Sequence, residues 1–150
     1  MKKVLLLTLI SILLTTCQRG VVFDEFKSLS AQGWNADSAL QFMPVLTDTF
    51  GEYQMHIVLR HTERYPYQNL WLFVDVKRDS TLLRRDTIES FLANERGEWY
   101  GSGMSKYTLP LLYLEHIALQ EGEYTLVVQQ GMRDEILRGI TDVGVKIVKN

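Results

Sequence analysis

The chain has one cysteine and three prolines in 150 residues, and each scarcity excludes something. Cys17 has no second cysteine to pair with, so no disulfide forms within the chain. No apolar run approaches the roughly 20 residues that a membrane-crossing helix needs. Neither sign of charge dominates, with 16 Lys+Arg against 18 Asp+Glu, and the basic stripe of a nucleic-acid-binding protein is missing. The three histidines, His56, His61 and His116, have no metal-site spacing. His56 and His61 are five apart and would point to opposite faces of a strand.

What is present begins at the N-terminus. Met1-Lys2-Lys3 is a short positive segment, and Val4 to Leu14 is apolar apart from Thr8 and Ser11. This order is that of an export signal. Leu14-Thr15-Thr16-Cys17 resembles a lipobox, with threonine in place of the small residue usual before the cysteine. The reading is a leader at 1–16 and Cys17 as the lipid-modified first residue of the mature chain. Acylation by two or more chains gives stable membrane attachment, where one gives only marginal binding. Losing Lys2 and Lys3 with the leader leaves 134 residues with 14 Lys+Arg against 18 Asp+Glu, a formal charge of −4. That length suits one domain.

Residues 17–36 read as a lipidated tether that becomes a first element, either an edge strand or a docked arm, through Val21, Val22, Phe23 and Phe26. Gly33-Trp34-Asn35 reads as a turn with one aromatic anchor. Residues 37–150 form the main domain, a series of runs with period-2 alternation, the pattern of half-buried strands. The expected strands are Ser38–Leu46, Tyr53–His61, Asn69–Arg78, Leu82–Leu92, Tyr107 to about Ile117, Glu123–Gln130 and Ile140–Val148. Pro44 marks an edge strand or a bulge, because it cannot donate a ladder hydrogen bond. Pro110 argues against a helix over 107–119. Asp79-Ser80 is a hairpin turn, and Gly122 and Gly131 are expected to end strands. About seven or eight strands without a long helix predict an antiparallel all-β domain, two sheets packed as a sandwich.

Chemistry is sparse. Nucleophilic catalysis needs Ser or Cys beside a histidine, yet the cysteine is assigned to lipid and there is no Gly-x-Ser-x-Gly elbow. Gly101-Ser102-Gly103 reads as a turn. Asp48, Asp75 and Asp142 do not have calcium-loop spacing. The expectation is a protein that is not an enzyme, with no cofactor and no metal. A hydrolase would require a Ser-His pair or two convergent carboxylates in three dimensions.

Aromatic residues are the surplus. Trp71 and Phe73 lie opposite the aliphatic stripe of their strand, Tyr65 and Tyr67 flank Pro66, and Trp99-Tyr100 sit in a glycine-rich loop. They either pack beneath a loop or the arm at 21–26, or form a contact platform for a partner or a sugar ring.

The stretch from Arg60 to Phe73, with its Arg60-His61 pair, Tyr65-Pro66-Tyr67 turn and Asn69-Leu70-Trp71-Leu72-Phe73 strand start, resembles the gliding-motility lipoprotein family GldH of the Bacteroidetes. Phe23-Asp24, Trp34, the Gly97–Gly103 loop and Asp142-Val143-Gly144 extend the resemblance. It implies a non-catalytic accessory or scaffold lipoprotein of the gliding and type IX secretion-associated envelope machinery, with envelope protein partners. Arg60, His61, Tyr65, Tyr67, Asn69, Trp71 and Trp99 are the candidate contact residues. The alternative is a carbohydrate-binding envelope lipoprotein that uses Trp71, Trp99 and nearby tyrosines. No aspartate follows Cys17 directly, and the first acid is Asp24. This favours an outer-membrane anchor with the domain facing the periplasm.

Overall fold

Residues two apart on a strand share a face, and the apolar stripes legible in the sequence are those that the structure buries. The computed structural model describes residues 20–150; the leader and Cys17 lie outside the described residues. Among the described residues there are nine strands and no helix: β1 (Val21–Ser28), β2 (Trp34–Asn35), β3 (Leu40–Phe42), β4 (Val45–Thr62), β5 (Asn69–Arg78), β6 (Thr81–Phe91), β7 (Lys106–Gln130), β8 (Ile136–Leu137) and β9 (Ile140–Lys149). All pairings are antiparallel, as the alternation predicted.

β7 organises the molecule. Its first part pairs with β4, and its last part lies between β3 and β5. It therefore belongs to both layers: β1-β9-β4-β7 on one side and β3-β7-β5-β6 on the other. Register shifts in the β4–β7 ladder between Leu46 and Phe50 and on both sides of Met55 give the bulges at which such a ladder bends. The buried stripes Tyr53-Met55-Ile57-Leu59 and Val143-Val145-Ile147 of one layer join Leu70-Leu72-Val74-Val76 and Leu126-Val128 of the other in a single core. Each such aliphatic side chain contributes roughly 1.5–3 kcal/mol on full burial.

Two expected boundaries are corrected. Gly122 does not end a strand, because the runs read as Tyr107–Ile117 and Glu123–Gln130 are one 25-residue strand. The Ser38–Leu46 run is split at Met43-Pro44 into β3 and the start of β4. Both pieces follow the same edge of β7, and the carbonyl of Pro44 still accepts the Tyr124 N–H at 2.9 Å. The proline interrupts the ladder without changing its direction, since it lacks only the donor.

β1 is an edge strand on β9. Gly20 accepts the backbone N–H of Lys149 at 2.6 Å, and the Asn150 N–H reaches the carbonyl of Glu52, so the described chain starts and finishes at one end of the sandwich. Trp34 is the expected aromatic anchor: it is buried, and its indole Nε1 donates to the Ser38 carbonyl at 2.8 Å.

Candidate functional site

The block from Arg60 to Trp71 lies at the opposite end. β9 runs from Lys149, beside Gly20, to Ile140, the partner of His61. Nine residue steps at about 3.3 Å separate the two ends by roughly 30 Å.

Alternation sends Arg60 and His61 to opposite faces. The Arg60 guanidinium stacks over the Phe26 ring at 3.8 Å from its centroid, on the outer face of the β1-β9-β4 layer. Asp142 is its cross-strand neighbour and is nearly buried. The Asp142 carboxylate accepts from Ser28 Oγ (2.7 Å), Thr141 Oγ1 (2.8 Å) and Lys106 Nζ (3.0 Å). Burial alone would raise its pKa, but these donors outweigh it and hold the carboxyl below the usual carboxylate value. Asp142 thus links β1, β9 and β7.

His61 points inward and is fully buried. Its Nδ1–H donates to the Thr62 carbonyl at 3.3 Å, which leaves Nε2 as the acceptor nitrogen. No hydrogen-bond partner for Nε2 is present among the described residues. The ring sits in an aromatic nest, edge-on to Trp99 at 4.5 Å and stacked on Tyr107 at 5.4 Å, with Tyr65 at 6.1 Å. Burial pushes its pKa down. With one ring nitrogen partnered and the other not, His61 is half satisfied and closes the core.

Local hydrogen bonds fix this nest. Tyr65 is buried and donates from its hydroxyl to the Asn69 carbonyl at 2.6 Å, tying the Tyr-Pro-Tyr turn to the start of β5. Burial raises its phenol well above the ordinary value. The Asn94 side chain accepts the N–H groups of Arg96 (2.9 Å) and Glu98 (3.0 Å), and Ala93 bridges to Trp99. That tight loop delivers the indole onto His61.

Tyr67, Asn69 and Trp71 lie together elsewhere. They line a pocket of about 460 Å³ on the outer face of β5, with Phe73, Thr87 and Arg133. Trp71 is 38% exposed and Phe73 45%. A Cβ at Gly131 would stand 3.1 Å from the Phe73 ring and 3.4 Å from the Trp71 Cβ, so the absence of a side chain there lets the 131–133 loop close one wall. The Tyr67 hydroxyl donates to the Asp134 carboxylate at 2.9 Å, and Asn69 Nδ2 donates to Glu89 Oε1 at 2.6 Å. The hydrogen bond to Asp134 raises the Tyr67 phenol's pKa.

The seven candidates therefore separate into three places: Arg60 on one outer face, His61, Tyr65 and Trp99 in the nest, and Tyr67, Asn69 and Trp71 in the pocket. Trp71 lines this pocket and Trp99 does not. The packing of Trp71 and Phe73 involves the 131–133 loop, and the arm at 21–26 lies on the other layer. Sequence reasoning missed Tyr107, Thr87 and Arg133. Thr87 is the cross-strand partner of Phe73 and was reachable from the hairpin register; Arg133 was not. A larger open groove of about 1210 Å³ opens at the same end, lined by segments around Ser30, Arg64, Lys106 and Arg138. No group of three or more His, Cys, Asp or Glu among the described residues is placed to hold a metal ion, and no described helix is long and apolar enough to cross a membrane.

Comparison with known proteins matches residues 21–147 to the family described as GldH lipoprotein. The gliding motility lipoprotein GldH of Flavobacterium johnsoniae is 35% identical over 150 residues, covering 95% of this chain and 93% of that protein. A GldH homolog from Christiangramia forsetii is 32% identical over 148 residues, covering 93% and 90%. Among solved structures, a family 35 carbohydrate binding module from Clostridium thermocellum is similar at a TM-score of 0.46 and 17% identity, over 86% of this chain and 90% of that one.

Proposed function

The chain belongs to the GldH lipoprotein family, and from that premise we propose that it is a lipid-anchored, non-catalytic accessory component of gliding-motility machinery. The observation that carries this reading is the match along nearly the whole chain to a protein named for gliding motility. In this account Cys17 bears the lipid in the outer membrane, the domain faces the periplasm, and its partners are envelope proteins of the motility and type IX secretion apparatus.

The ends of the sandwich support such an arrangement. Gly20 is three residues from Cys17, a reach of about 10 Å. The end with the Arg60–Trp71 block and the 1210 Å³ groove then points away from the anchor. Met104, 94% exposed beside that groove, is the site for a test. A photo-crosslinker at position 104 in living cells is expected to capture a named motility or secretion component, and one at position 22, near the anchor, is not. Recovery of no envelope protein from position 104 would count against the scaffold role.

A further inference from the structure

We propose that the pocket over Trp71 and Phe73 is a binding site for a neutral pyranose oligosaccharide. Its size points to a small ligand: about 460 Å³ lies within the roughly 300–1,000 Å³ of ligand sites. A stable protein interface engages about 20–30 residues a side, several times what lines this pocket.

The lining then narrows the chemistry. Trp71 and Phe73 are two apart on β5 and present their rings on one face. An aromatic floor of this kind matches the C–H face of a sugar ring, giving large contact area at small entropic cost. An all-apolar ligand would strip water from Tyr67, Asn69, Thr87 and Arg133 without replacing their hydrogen bonds. A pyranose carries hydroxyls around its edge to meet them. The polar groups are held in place beforehand, Tyr67 by Asp134 and Asn69 by Glu89, so little rotamer freedom remains to be lost on binding. Those two carboxylates stand beside the site against the single guanidinium of Arg133, and the remaining negative balance disfavours an acidic sugar. The ligand is therefore a neutral one.

This site does not depend on the motility role, since binding and gliding are read separately. The test is calorimetric titration of the full chain in lipid nanodiscs with maltohexaose, cellohexaose, laminarihexaose, chitohexaose and mannohexaose. Saturable binding of at least one is expected, weakened at least tenfold in Trp71→Ala. Asn69→Leu, which leaves the floor in place, is expected to weaken it similarly and covers the case in which Trp71→Ala fails to fold. Arg64→Ala, at the separate groove, is expected to bind as the wild type does. No binding of any of the five sugars would overturn the proposal. So would binding that survives both pocket substitutions within twofold, or capture of a protein from position 71 with all five sugars inert.

Discussion

The imidazole of His61 stacks on the ring of Tyr107, centroids 5.4 Å apart and planes 21° from parallel, while its Nε2 has no partner among the described residues. A buried histidine in an aromatic nest folds neutral, and burial depresses its pKa from the ordinary 6.5.

The sign of the resulting pH dependence follows. The unfolded chain takes up a proton at His61 near pH 6.5, and the folded chain does so only at lower pH. Stability is therefore in place above pH 6.5 and is lost as pH falls toward the folded value. His56 adds to this window, lowered by burial and then by Lys146. Asp142, held below its ordinary 3.8, loses its contribution only in stronger acid. His61→Phe is expected to stay within about 1.5 kcal/mol of the wild type at pH 8 and to lose less stability by pH 5. Urea unfolding at both pH values measures it, and an unchanged acid slope would contradict the assignment.

Gly144 is expected to tolerate no side chain. A Cβ there would lie 2.7 Å from the Phe26 ring, which also carries the Arg60 guanidinium. Gly144→Val should cost about 2–3 kcal/mol through overpacking. Gly144→Ala should cost less in a Phe26→Ala background, with a coupling of at least about 0.5 kcal/mol in a double-mutant cycle. Additive effects would mean that the ring does not cover that backbone.

The β5–β6 turn has room for improvement. Asp79 and Ser80 both have positive φ, 47° and 68°, the geometry of a type I′ turn that favours Asn-Gly. Ser80→Gly should stabilise the fold by about 0.5–1 kcal/mol, because the left-handed conformation costs an L side chain about that much or more. Thermal unfolding decides it, and a lowered midpoint would contradict the strain.

The layers were legible in the sequence because period-2 alternation assigns faces directly: Leu70, Leu72, Val74 and Val76 are buried, as are Tyr53, Met55, Ile57 and Leu59. Strand continuity was less so. A glycine reads as punctuation, yet β7 runs through Gly122 because its pairing with β4 continues there, Leu46 opposite Gly122 and Val45 opposite Glu123, and overrides local preference. The site was legible only in part. Alternation put Trp71 and Phe73 on one face and showed that Arg60 and His61 diverge. That Trp99 covers His61 depends on a loop nearly 40 residues away, held by Asn94, and no local pattern encodes such a contact.

Complementation decides whether this chain works as a lipid-anchored member of gliding machinery. The measurement is the gliding speed of Flavobacterium johnsoniae cells whose own GldH is deleted, carrying either this chain or its Cys17→Ala form. The wild-type chain is expected to restore movement, and Cys17→Ala, folded and exported, is not. Equal rescue by both forms, or no rescue by a wild-type chain recovered folded in the membrane fraction, would contradict it.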